Sequence, residues 1–109
     1  MIANTPKPPY YAVIFTTVRT DIDDGYMEMA SKMEELAKVQ EGYLGIESTR
    51  EDLGITVSYW NSLASISKWK HNVEHTEARN MGRSLWYEKY KLRICMVERD
   101  YDFERSLKS

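Results

Sequence analysis

The chain has 109 residues, enough for one domain with a real core, yet small enough to gain from covering more surface by association. Its 15 basic and 17 acidic residues are interspersed and sum to a net charge of −2, so no lysine or arginine run is present to track a phosphate backbone, and no nucleic-acid partner is expected. The single cysteine, Cys95, has no partner for an intrachain disulfide. With no apolar leader and no apolar stretch approaching ~18 residues, the sequence predicts a soluble cytoplasmic protein without a membrane partner.

Met1 to Pro9 lack periodicity and carry all three prolines, which predicts a mobile arm ahead of a domain over residues 10–103. Tyr10 to Val18 is β-branched and aromatic on both faces, as a central strand would be. Asp21, Asp23 and Asp24 supply a cap and negative charge at a helix start, and Tyr26, Met29, Ala30, Met33, Leu36 and Ala37 form one apolar stripe. The first helix is thus expected over about Asp23 to Gln40, stopped by Glu41-Gly42. Tyr43 to Arg50 and Ile55 to Trp60 read as strands whose short connection, Glu51 to Gly54, predicts an antiparallel hairpin. Ser62 caps a second helix that turns Leu63, Ile66, Trp69 and Val73 to the core. Lys91 to Tyr101 alternates as a fourth strand, with Leu92, Ile94 and Met96 facing one way and Arg93, Cys95, Val97 and Arg99 the other. Phe103 is expected to pack back on the sheet, and residues 104–109 read as a loose charged tail.

The order β-α-β-β-α-β is the α+β, ferredoxin-like arrangement, a four-stranded antiparallel sheet with both helices on one face. Tyr11, Val13, Phe15, Ile55, Val57, Tyr59, Leu92, Ile94 and Met96 are more apolar residues than one helix-covered face absorbs, which predicts an uncovered sheet face and a homodimer formed through it.

All three tryptophans and both histidines fall between residues 60 and 86. His71, His75, Arg79 and Gly82 share one side if the second helix runs on, with Trp86, Tyr87 and Tyr90 just past its end. Trp60, Trp69 and Trp86 have the flat faces to wall an aromatic ligand, although large aromatics at helical spacing also serve as core; Trp60 reads as core and Trp69 as pocket wall. Tyr87 and Tyr90 fit either a pocket or a dimer rim. His71 to His75 matches the HxxEH string of inverted zinc proteases, but no further ligand accompanies it and no glycine-rich dinucleotide turn exists, so neither metal nor cofactor is expected.

A strand ending in Trp60, then Ser62, Trp69, His75, Ala78, Gly82 and Trp86-Tyr87 before a last strand, resembles the antibiotic biosynthesis monooxygenase family of dimeric α/β barrels. The resemblance spans roughly Tyr10 to Tyr101 and implies two sheets closing into a barrel, with a pocket between sheet and helices in each subunit. Known enzymes of the group oxidise phenols or quinols with molecular oxygen, often without metal or flavin. In the haem-degrading relatives a tryptophan matching Trp69 is followed ten residues on by an iron-ligating histidine. Arg79, a permanent cation, stands there instead, and Tyr10 to Thr20 lacks their asparagine, so haem degradation is not expected. His75, one turn earlier, is the alternative axial ligand.

Under the oxygenase reading His75 is the base that takes a phenolic proton, Arg79 holds the resulting anion and Trp69 lines the reacting centre. Trp60, His71, Trp86, Tyr87 and Tyr90 then bind the substrate. Arg79 is equally suited to pair with Glu74 or Glu77 on a helix surface. Two classes therefore stand open: a cofactor-free monooxygenase acting on a phenolic or quinol-type aromatic, and a non-catalytic ligand-binding or stress-response barrel.

Overall fold

The computed structural model describes residues 1–75 and 85–105, without the side chains of residues 74 and 75. The strands are β1 (Tyr10–Arg19), β2 (Tyr43–Arg50), β3 (Gly54–Trp60) and β4 (Tyr87–Val97), and the helices are α1 (Tyr26–Lys38) and α2 (Leu63–His75). All strand pairings are antiparallel, in the order β2-β3-β1-β4, and the fold is the expected α+β, ferredoxin-like one. Among the described residues, no helix is long and apolar enough to cross a membrane.

Several boundaries differ from the sequence reading for identifiable reasons. The aspartates do not cap α1. Its N-cap is Gly25, in the left-handed conformation at φ 74, while the Asp23 carboxylate pairs with Arg19 at 3.0 Å. The helix ends at Lys38, about two residues before the expected Gln40, with Val39 as its C-cap, and Gly42 at φ 89 then turns the chain into β2. A side chain at Gly42 would strike Ser65 and Asn61, and its carbonyl accepts the Asn61 N–H at 2.8 Å.

Ser62 does cap α2, its hydroxyl accepting the Ser65 N–H at 3.1 Å. The helix is rotated, however: Ser65 and Ile66 are buried and Leu63 is 54% exposed. At about 100° per residue, a face centred between Ser65, Trp69 and Ile66 leaves Leu63 roughly a third of a turn away.

β4 begins four residues earlier than expected and stops at Val97, which pairs with Tyr10. As the edge strand it ends where β1 begins, and Pro9 ahead of Tyr10 has no N–H to extend the ladder.

The register sorts the helix-facing side of the sheet into cross-strand rows. One row is Tyr43, Trp60, Tyr11 and Met96; the next are Ile46, Ser58, Val13 and Ile94, then Ser48, Thr56, Phe15 and Leu92, and last Arg50, Gly54, Thr17 and Tyr90. The opposite face carries Ile14, Val18, Ile55, Val57 and Tyr59, so the nine apolar residues counted from the sequence divide between both faces. Val13 belongs to the helix side and Ile55 to the outer side.

The residues expected to form a mobile arm are tied across that outer face. The Ala3 N–H donates to Glu47 at 2.8 Å, and Glu47 also accepts from the Tyr59 hydroxyl at 2.7 Å. The Tyr10 hydroxyl donates to Asp100 at 2.5 Å. Phe103 does not pack back; it is 84% exposed.

The core is concentrated at one end of the helix layer. Trp60, at 0% exposure, packs with Val13, Ala37 and Ile66, and Tyr11, Tyr43 and Trp69 close around them. Trp69 stacks on Trp60 with ring centroids 6.0 Å apart, and the Trp60 indole nitrogen donates to Ser58 at 2.9 Å.

Candidate active site

Toward the other rows the helices stand off the sheet, and Ala37 is the one buried residue of α1. The space between is a cavity of about 580 Å³. Val13, Phe15, Ile46, Leu92 and Ile94 line its sheet side, and Met29, Met33, Ile66, Trp69 and Val73 line its helix side. Half-buried methionines and a half-buried tryptophan make an apolar, adaptable roof.

The cavity's far end is aromatic and polar. Phe15 meets Tyr87 and Tyr90 edge-on, at centroid distances of 5.6 and 5.4 Å. Tyr26 meets Trp86 at 5.7 Å and Tyr87 at 6.2 Å. Trp86 is buried and locked, its indole nitrogen donating to the Asp24 carbonyl at 2.9 Å. Arg19 lies over the Tyr26 ring at 3.5 Å, a cation–π contact that braces this wall. Burial pushes the Tyr87 phenol well above the usual tyrosine range, and Tyr26, as neighbouring hydroxyl and hydrogen-bond partner, raises it further, while the Arg50 and Arg19 charges oppose them. Tyr87 is therefore a neutral hydrogen-bond donor at physiological pH.

Of the residues singled out from sequence, Trp69, Trp86, Tyr87 and Tyr90 line this one cavity. Trp60 does not; it is fully buried beneath Trp69 and has no surface to offer a ligand. His71 is exposed and does not line the cavity. His75 closes α2, but its side chain, like all of Arg79, lies outside the described residues.

Sequence reasoning missed Tyr26, which it placed only in an apolar stripe, and Thr17, Ser48, Thr56 and Arg50, which give the sheet side its polar patch. Arg50 crosses over Gly54 and donates to the Thr17 hydroxyl on β1; a Cβ at Gly54 would collide with its guanidinium. The available signal was an arginine closing one strand directly across a hairpin from a glycine opening the next.

No family model matches the chain. The Bacillus subtilis protein YqjZ, of uncharacterized function, is 49% identical over 107 residues, covering 96% of this chain and 94% of its own. Among solved structures, SnoaB, a cofactor-independent oxygenase from Streptomyces nogalater, superposes with a TM-score of 0.68 at 8% identity over 94% of this chain and 100% of its own. A candidate antibiotic biosynthesis monooxygenase from Nitrosomonas europaea gives a TM-score of 0.65 at 10% identity over 87% and 93%. At such identities the solved structures speak to fold, whereas the Bacillus sequence speaks to descent: the chain belongs to the family of YqjZ and carries the fold of the antibiotic biosynthesis monooxygenases.

Proposed function

We propose that this protein is an oxygenase that uses molecular oxygen on a phenolic or quinol-type aromatic held between helices and sheet, without metal or flavin. The observation that carries the reading is the cavity: about 580 Å³, mainly apolar with a polar patch on its sheet side, and bounded at one end by Phe15, Tyr26, Trp86, Tyr87 and Tyr90. That shape suits a flat, fused-ring ligand, and SnoaB, of the same fold, is a cofactor-independent oxygenase. The substrate supplies the electrons. Loss of a phenolic proton gives a phenolate that passes an electron to oxygen; a ring CH₂ becomes C=O, and the second oxygen atom leaves as water with the two hydrogens.

His75 is assigned as the base and Arg79 as a cation for the anionic intermediate, with Trp69 beside the reacting carbon. His75→Ala should lower oxygen uptake more at pH 7 than near pH 9, where a naphthol-type phenol is already partly ionised. The assay is oxygen uptake by metal-stripped protein with naphthol and anthrone-like substrates. Uptake that appears only after iron or flavin is added would overturn the cofactor-free chemistry, and binding without uptake would replace the oxygenase with a ligand-binding barrel.

The working form is assigned as a homodimer through the outer sheet face. Ile14, Val18, Ile55 and Val57 supply its apolar centre, beside the edge bearing Lys91 and Arg93, and Glu47 stands on β2 at the opposite edge. A two-fold pairing that set these opposite charges together would favour that register. Ile55→Asp should dissociate the dimer in sedimentation at micromolar concentration; a wild-type monomer there would remove this assembly.

A further inference from the structure

We propose that Arg50, laid over Gly54 and tied to Thr17, is an anion-binding group of this cavity, and that the ligand it takes is an aromatic bearing a negatively charged oxygen, carboxylate or phenolate. The proposal rests on the cavity being the ligand site of the preceding section and is independent of whether oxygen reacts there.

Three observations converge. Arg50, Gly54, Thr17 and Tyr90 form one row across all four strands, so a side chain from an outer strand reaches the sheet's centre only by crossing the strand between. Glycine is what lets it cross, because any Cβ at Gly54 would occupy the guanidinium's place. Thr17, 3% exposed, then receives one N–H of the fork. A planar cation with five donors is thereby held in one orientation with most of its donors uncommitted to Thr17.

The second observation concerns charge. Among the described residues no carboxylate lies within ion-pair distance of Arg50, and the cavity-lining Glu34 is paired instead with Lys38 at 3.6 Å. Among the described residues, the wall around it supplies no ion-pair partner for that positive charge.

The third is the neighbourhood. Arg50 lines the cavity together with Phe15, Tyr87 and Tyr90, and it is close enough for its charge to act on the Tyr87 phenol. A charged oxygen at Arg50 and a fused ring against Phe15 and Met33 fill the polar and apolar parts together. An arginine serving merely to clamp the β2–β3 hairpin to β1 would need only its bond to Thr17.

The test is calorimetric titration under nitrogen with 2-naphthoate and its neutral isostere 2-naphthamide. Wild-type protein should bind the naphthoate at least about tenfold more tightly, as a charge-assisted pair predicts. Arg50→Gln should abolish that preference, the naphthoate losing far more affinity than the amide, and Arg50→Lys should keep part of it. Gly54→Ala, which displaces the guanidinium without removing it, should also reduce it. Titrating 1-naphthol from about pH 7 to about pH 10 distinguishes the oxygen anion used: affinity should rise with phenolate formation in wild type and not in Arg50→Gln. An unchanged naphthoate preference in Arg50→Gln, or failure of either naphthalene to bind wild type, would overturn the proposal. Binding with the predicted preference but no oxygen uptake in air would leave the anion site standing and remove the oxygenase reading alone.

Discussion

The Trp60 end and the Arg50 end of the helix–sheet layer are built from the first and last rows of one sheet, yet one is filled and the other hollow. At the first, Tyr43, Trp60 and Tyr11 meet Ala37, Ile66 and Trp69, and a small residue on α1 lets the helix come close. At the second, Arg50, Gly54, Thr17 and Tyr90 lie beneath Tyr26, Met29 and Met33, whose length holds α1 away from a floor of small and polar side chains. Side-chain size along α1 thus separates a stabilising end from a binding end, as the low-stability, ligand-accepting parts of proteins are often set apart from the core.

Truncation should expose the contrast most strongly. Trp60→Ala should cost about 3–5 kcal/mol in denaturant unfolding, whereas Phe15→Ala, whose ring borders the cavity, should cost about 1–2 kcal/mol because less packing is lost. Equal losses would mean that the two ends are packed alike.

The two left-handed glycines sharpen the comparison, since one stands at each end. Gly42→Ala carries both backbone strain and a collision with Ser65 and Asn61, and should cost about 2–3 kcal/mol. Gly25→Ala shares the strain, but its Cβ would meet only a Trp86 ring carbon at an ordinary 3.8 Å, so about 1 kcal/mol is expected. The difference in unfolding midpoint between these two variants reports the packing term alone.

Ser62→Ala removes the α2 cap at the packed end and should lower stability by about 1 kcal/mol, with no loss of naphthoate binding. If ligand affinity falls in step with stability, the two ends are one cooperative unit.

The smallest effect is alkaline. Burial raises the phenols of Tyr43 at the packed end and Tyr87 at the open end above their unfolded value near 10. The folded state then holds these protons longer, so their contribution is fully present below pH 10 and declines as pH rises above it. Tyr87→Phe should flatten that decline more than Tyr43→Phe, because Tyr87 is the more strongly raised; the check is unfolding free energy measured on either side of pH 10.

Legibility in the sequence followed the range of the interaction that decided each feature. The β2–β3 hairpin and the left-handed turn at Gly42 depend on residues adjacent in the chain, and both were readable. The start of α1 was misread because Asp23, a good cap by type, is held by Arg19. The end of β4 depends on Pro9, nearly ninety residues away along the chain, and Phe103 had no visible partner to decide its fate. In the cavity, Trp69, Trp86, Tyr87 and Tyr90 were legible by type as candidates, although type alone left core and dimer rim open for such rings. Trp60 and His71 were not separable from them until α2's rotation was known.

By itself, then, the sequence determined the alternation of strands and helices, because period and turn residues act within a few positions, and it determined which residues were able to make an aromatic site. Only the tertiary structure decided which did. Whether Trp60 fills or lines, whether Val13 faces helix or outer surface, and whether Arg50 reaches Thr17 across Gly54 are set by register and helix rotation, where a one-residue slip moves a side chain to the other face.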